Sequence, residues 1–186
     1  MKSTLKFSAA VIIVGFLISL SGCLKEVPEN PPKSKTTGFS FEIEVVLPGT
    51  TEEIYDAVTG DISGWWDHSF TDHPYKFYID PKPGGGFYEI FDESGDGALH
   101  AMVIYADRGK LLRMNGPLGL SGKAINLVIT YSFEQVNPDS TKFKVTVNGH
   151  GEIDPGVPDI VKKVWHHFLF ERLKPYVESG KHKISN

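Results

Sequence analysis

The chain has a single cysteine, Cys23, among its 186 residues. A lone cysteine closes no disulfide within the chain and supports no zinc site built on paired thiolates. Positive charge is also scarce. Nineteen Lys and Arg stand against 23 Asp and Glu, giving a net charge of −4 with neutral histidines. No dense run of Lys or Arg supplies the electrostatic footprint that nucleic acid requires, so no nucleic-acid partner is expected. Gly-x-Ser-x-Gly is absent, which removes the usual esterase elbow. The seven histidines include no His-Glu-x-x-His or comparable ligand spacing. His166 and His167 are neighbours, so on a helix they diverge by about 100° and cannot serve one face. Neither a metal nor a cofactor is expected. Gly84-Gly85-Gly86 precedes a strand pattern and not a helix, so it reads as a hairpin turn and not a phosphate loop. The longest apolar run, Phe7 to Leu20, is about 14 residues, short of the ~20 that a membrane-spanning helix needs.

That run has its own meaning. Lys2 and Lys6 precede it, and Leu20-Ser21-Gly22-Cys23 closes it. A basic start, a short apolar run and small residues make a secretory signal peptide over residues 1–22. The closing four residues resemble the lipobox of bacterial lipoproteins. The resemblance implies that Cys23 is lipidated and becomes the new N-terminus. Leu24, in place of Asp, implies the outer membrane, with the protein facing the periplasm of the bacterial envelope. Attachment would rest on acyl chains, because no polybasic patch is present. The remaining 164 residues would carry 17 Lys and Arg against 23 acids, a net charge of −6. Without disulfides the fold must stand on its core. A domain of about 150 residues can do so, since it buries close to 70% of its unfolded surface.

After Cys23, residues up to 38 are polar and carry Pro28, Pro31 and Pro32, the composition of an extended tether. One domain follows over 39–180, with a tail over 181–186. Phe39, Phe41, Ile43, Val45 and Leu47 alternate with mostly polar residues, the pattern of a half-buried strand. Thr50-Thr51-Glu52-Glu53 is a capping box opening a short helix to about Val58. Asp61 can cap a second short helix carrying Ile62, Trp65 and Trp66. Six strands follow, over about 75–80, 86–91, 98–105, 111–115, 125–134 and 141–148, joined by tight turns and therefore antiparallel. Val157, Ile160, Val161, Val164, Trp165, Phe168, Leu169, Leu173 and Tyr176 then recur at spacings of three and four, which predicts a long amphipathic helix. Pro175 should kink or end it. The order β-α-α-β6-α predicts an α+β fold in which the last helix covers an antiparallel sheet.

This order and several motifs resemble the START-type, birch-pollen-allergen-like superfamily (SRPBCC), in the branch of chaperone ATPase activators and polyketide cyclase-like proteins. The motifs are Ile62-Ser63-Gly64-Trp65-Trp66-Asp67-His68-Ser69, Gly84-Gly85-Gly86-Phe87-Tyr88-Glu89, His100 with Val103, and Lys110-Leu111-Leu112-Arg113 leading to Gly116-Pro117-Leu118-Gly119. The resemblance implies a helix-grip: a curved sheet wrapped around the last helix, with an apolar cavity between them. It also implies a hydrophobic small-molecule ligand, or a cyclisation or hydration carried out in that cavity. The superfamily shares no catalytic signature, so fold transfers better than function.

Symmetric pairing around the 92–97 loop would set Phe91 opposite Ala98, Glu89 opposite His100 and Phe87 opposite Met102. The next turns would set Phe77 against Glu89, Ile79 against Phe87, Ile104 against Leu112 and Met102 against Met114. One face then collects Phe77, Ile79, Phe87, Phe91, Met102, Ile104, Leu112 and Met114, with Glu89 and His100 among them. This is the candidate interior, and a one-residue slip reverses it. A buried carboxylate and imidazole are expected to pair, because burial alone costs several kcal/mol. The pair is either an acid/base or ligand-anchoring device or a structural pin for strand register. One of Trp65 and Trp66 is expected to line the cavity and the other to pack structurally. The candidate ligand-binding residues are Trp65, Trp66, His68, Phe77, Phe87, Glu89, His100, Met102, Met114, Tyr131, Trp165 and Phe168, with Glu89 and His100 also the catalytic candidates. Three functions compete. The first is tethered binding of a hydrophobic or amphipathic small molecule or lipid. The second is a cyclase, hydratase or hydrolase using the Glu-His pair. The third is a protein-interaction module.

Overall fold

The computed structural model describes residues 37–183. The stretches expected to be a signal peptide, the lipidation site Cys23 and the tether lie, as far as residue 36, outside the described residues. Eight strands form one antiparallel sheet in the order β1-β8-β7-β6-β5-β4-β3-β2. They are β1 (Thr37–Pro48), β2 (Gly60–Asp61), β3 (Lys76–Ile79), β4 (Gly86–Ile90), β5 (Gly97–Asp107), β6 (Leu111–Gly116), β7 (Ile125–Asn137) and β8 (Ser140–Gly151). The first strand returns to pair with the last over its whole length, Thr37 against Gly151 and Pro48 against Ser140. A helix running from Val157 to Glu178 covers the inner face. The architecture is the α+β helix-grip that the sequence predicts.

The inner face is built by strict alternation. On β7, Ile125, Leu127, Ile129, Tyr131 and Phe133 are all buried; on β8, Phe143, Val145 and Val147 answer them. The short helix α1 (Thr51–Ala57) starts at the expected capping box. Thr50 Oγ1 accepts from the Glu53 N–H at 3.3 Å, and Glu53 Oε2 accepts from the Thr50 N–H at 2.8 Å. Such a box satisfies two of the helix's unpaired donors and stabilises it by about 1 kcal/mol.

Four local features differ from the sequence expectation. The second short helix is a two-residue strand, β2, followed by a single turn in which the Trp65 and Trp66 N–H groups donate to the Ile62 carbonyl. Asp61 caps only that turn, through Ser63 N–H. Of the two effects expected of Pro175, ending the long helix does not occur. The helix runs as α2 (Val157–His166), a π-helical segment (His167–Leu173) and α3 (Lys174–Glu178). Proline has no N–H and its ring crowds the carbonyl four residues back, so a wider turn before Pro175 lets the helix continue. Within the expected tail, Lys181–Lys183 make a 3₁₀ turn in which His182 is buried.

The fourth difference is strand register. β3 pairs with β4 as expected, Phe77 against Glu89 and Ile79 against Phe87. β5 carries two irregularities that simple alternation cannot reveal. Tyr88 pairs with Leu99 while Phe87 pairs with Ala101, leaving His100 as the extra residue of a bulge. A second bulge leaves Ile104 unpaired between Val103 and Tyr105. Each bulge reverses which residues face inward. His100, Ala101 and Val103 are therefore buried, whereas Met102 and Ile104 lie on the outer face at 47% and 48% exposure. Gly116 permits the first bulge. A Cβ there would stand 2.5 Å from the His100 carbonyl and from Ala101 Cα.

Candidate functional site

The space between sheet and helix is mostly filled by aromatic rings. Trp66 stacks on Phe168 with centroids 3.9 Å apart. It also meets Phe87 edge-on at 4.9 Å and Trp165 at 5.9 Å. Trp65 is turned the other way, with its indole N–H donating to the Ala57 carbonyl at 3.0 Å. Of the tryptophan pair, Trp66 lines the pocket and Trp65 packs structurally.

What remains open is an apolar pocket of about 220 Å³ at one end of the helix. The 3₁₀ turn Leu118–Leu120 and Leu127 form its sheet side; Ile160, Val161, Val164, Trp165 and Phe168 form its helix side; Trp66 and His68 complete it. Ile160 sits on the apolar stripe of the helix yet is 61% exposed, because it faces this opening. Leu118 is the only non-glycine residue with a left-handed backbone among the described residues, at φ +49°. That conformation costs roughly 1–3 kcal/mol, and it belongs to a leucine that is 7% exposed on the pocket wall. The sequence marks the turn that carries it only through the resemblance motif Gly116-Pro117-Leu118-Gly119; the strain is invisible in sequence.

The sequence candidates divide accordingly. Trp66, His68, Trp165 and Phe168 come together at the pocket. Phe77, Phe87, Met114 and Tyr131 are buried in the packed interior around it. Met102 is on the opposite face of the sheet, displaced by the His100 bulge.

Glu89 and His100 do meet, but through the bulge and not across the ladder. His100 Nε2 donates to Glu89 Oε2 at 2.9 Å, with Glu89 opposite Ala98. The other carboxylate oxygen accepts from Ser69 Oγ at 2.5 Å and from the Phe70 N–H at 2.8 Å. Both oxygens are thus engaged, and the pair pins the 67–75 loop to the sheet. His100 lies between the Phe70 and Phe87 rings, each 5.1 Å away, and its Nδ1 is buried without a partner. Neither residue lines the pocket.

The same loop is held at its other end by charge. His167 Nε2 donates to Asp67 Oδ2 at 2.8 Å and its Nδ1 to Glu171 Oε2 at 2.9 Å. Arg172 Nε reaches Asp67 Oδ2 at 3.1 Å. Hydrogen bonds to Asp67 and then to Glu171 raise the His167 pKa above its ordinary value. His68 stands beside this cluster, 3.8 Å from Asp67, with its ring edge-on to Phe168 at 4.8 Å. The pocket therefore has an apolar interior and a polar, zwitterionic rim on one side.

A wider groove of about 630 Å³ at the far end of the helix is open to solvent. Within its lining Glu53 pairs with Lys183 at 3.2 Å, and Asp139 and Glu178 add further carboxylates. Among the described residues no group of three His, Cys, Asp or Glu side chains is arranged to hold a metal ion.

No family model matches the sequence, and no curated protein matches it. Solved structures do match. A protein of unknown function from Staphylococcus aureus aligns over 79% of this chain and 98% of its own, with a TM-score of 0.55 and 14% identity. A protein from Chromobacterium violaceum aligns over 75% of this chain and 96% of its own, with a TM-score of 0.53 and 17% identity. The birch-pollen-type allergen Ara h 8.0201 aligns over 77% of this chain and 99% of its own, with a TM-score of 0.54 and 18% identity. At these identities the likeness concerns the backbone alone. Element order, sheet topology and these alignments together assign the chain the birch-pollen-allergen-like helix-grip fold.

Proposed function

We propose that this protein is a lipid-anchored lipoprotein of the bacterial envelope, facing the periplasm, whose domain binds a hydrophobic or amphipathic small molecule. The observation that carries the binding reading is the 220 Å³ apolar pocket between the Leu118–Leu120 turn and the α2 segment. Of its eleven lining residues only His68 is charged or strongly polar. Ligand sites combine this apolar lining with a few placed polar groups. An amphipathic molecule would seat its apolar body against Trp66, Val164 and Phe168 and leave a polar end beside His68 and the Asp67–His167–Arg172 cluster. The strained Leu118 favours the same place, since strain is retained where the surrounding structure enforces it.

The anchoring part rests on the Leu20–Cys23 box and is separable from the binding part. Palmitate labelling of the full chain in a bacterial host should be lost in Cys23→Ser; labelling that persists would overturn it. Native mass spectrometry of the purified full chain tests binding, with a co-purifying small molecule as the expected result.

A further inference from the structure

Four buried side-chain polar atoms have no hydrogen-bond partner among the described residues, and the Tyr131 hydroxyl is the only oxygen among them. Buried hydroxyls are nearly always paired, so each exception calls for a reason. Tyr131 sits near the middle of β7, opposite Val145 on β8 and Leu112 on β6, and is fully buried. Its ring meets Phe143 edge-on at 5.1 Å and Trp165 at 6.0 Å. Trp165 also forms the wall of the apolar pocket. Trp165 thus touches both the pocket and the Tyr131 ring.

Two further facts concern that ring and its neighbour. The pocket, at about 220 Å³, is smaller than the ~300 Å³ lower bound usual for small-molecule chambers. Phe168, stacked on Trp66 at the pocket floor, belongs to the π-helical segment His167–Leu173. Such segments concentrate at functional sites.

We infer that Trp165 and Phe168 form a movable floor, and that the Tyr131 hydroxyl beneath it is the inner recognition group for the ligand. It donates a hydrogen bond to an acceptor oxygen at the buried end of an otherwise apolar molecule. This rests on the binding reading above. Burial raises the Tyr131 pKa, so the group stays a neutral donor across the physiological range.

The test uses 2-naphthol and 2-methylnaphthalene, which differ by a hydroxyl in place of a methyl group, titrated into the full chain and into Tyr131→Phe by tryptophan fluorescence. A purely apolar pocket favours the methyl compound. The wild type should instead bind the naphthol about tenfold more tightly, the worth of one well-formed buried hydrogen bond. Tyr131→Phe should abolish that preference, leave the affinity for 2-methylnaphthalene unchanged, and melt no lower than the wild type, because an unpartnered hydroxyl contributes nothing to the fold. A preference that survives Tyr131→Phe overturns the inference, as does a lower melting temperature of the variant. Equal binding of both probes by the wild type overturns the role of Tyr131 and leaves the pocket reading standing. Binding of neither overturns both.

Discussion

Glu89 and His100 are joined at 2.9 Å although the ladder sets Glu89 opposite Ala98. The bulge at His100 turns the imidazole inward onto a carboxylate that also holds Ser69 and Phe70. The Glu89 carboxylate thus ties β4 and β5 to the loop that follows Trp66 and carries His68.

Removing that carboxylate should be costly. Glu89→Ala leaves the Phe70 N–H, the Ser69 hydroxyl and His100 without their acceptor, and should lower stability by about 3–5 kcal/mol. Glu89→Gln keeps an acceptor oxygen for Phe70 and should cost clearly less. Urea unfolding measures both, and hydrogen exchange should show the Phe70 amide losing protection first. Equal stability of Glu89→Ala and wild type would contradict the pinning role.

The His167 clasp is pH-dependent, with a defined sign. Its folded pKa is raised, first by Asp67 and then by Glu171, from an ordinary value of 6.5. The stabilisation is therefore fully present below pH 6.5 and is lost as pH rises through the higher folded value. The groups are partly exposed, so the effect on global stability is small. NMR titration should place the His167 midpoint above 6.5 in the wild type and lower it in Asp67→Asn. An unmoved midpoint in Asp67→Asn would contradict the clasp.

Trp66 joins the sheet, the loop and the helix through contacts to Phe77, Phe87, Trp165 and Phe168. Trp66→Ala should cost about 3–5 kcal/mol in thermal or urea unfolding, the range for large aromatic truncations in a core. A loss below 1 kcal/mol would mean that the aromatic plug is loosely packed.

Much of this fold is legible in the sequence. Alternation on β1 and β7, the capping box at Thr50 and the three-and-four spacing from Val157 to Tyr176 are local signals, and each element forms where they point. The resemblance motifs mark the Leu118 turn and Trp66, both of which reach the pocket. Register on β5 is not legible, because a bulge is set by backbone packing around Gly116 and leaves no trace in apolar alternation. Met102 and Val103 exchange faces for that reason. Symmetric pairing brings Glu89 to His100 through a different register; the bulge and the register offset compensate. Residues 61–66 look helical because Asp61 can cap and two tryptophans follow, yet pairing of β2 with β3 claims Gly60 and Asp61 first. Tertiary contacts outweigh so short a local preference.

The apolar pocket beside the Leu118–Leu120 turn should bind an apolar ligand, and one residue tests this with little risk to the fold. Gly119 lines the pocket, and a Cβ there meets nothing within 4 Å. Gly119→Trp should fill the pocket without unfolding the sheet. Titrating the full chain with 1-anilinonaphthalene-8-sulfonate should give saturable one-to-one binding in the wild type and its loss in Gly119→Trp, with the two proteins melting alike. Identical, unsaturable dye binding by both would contradict binding in this pocket.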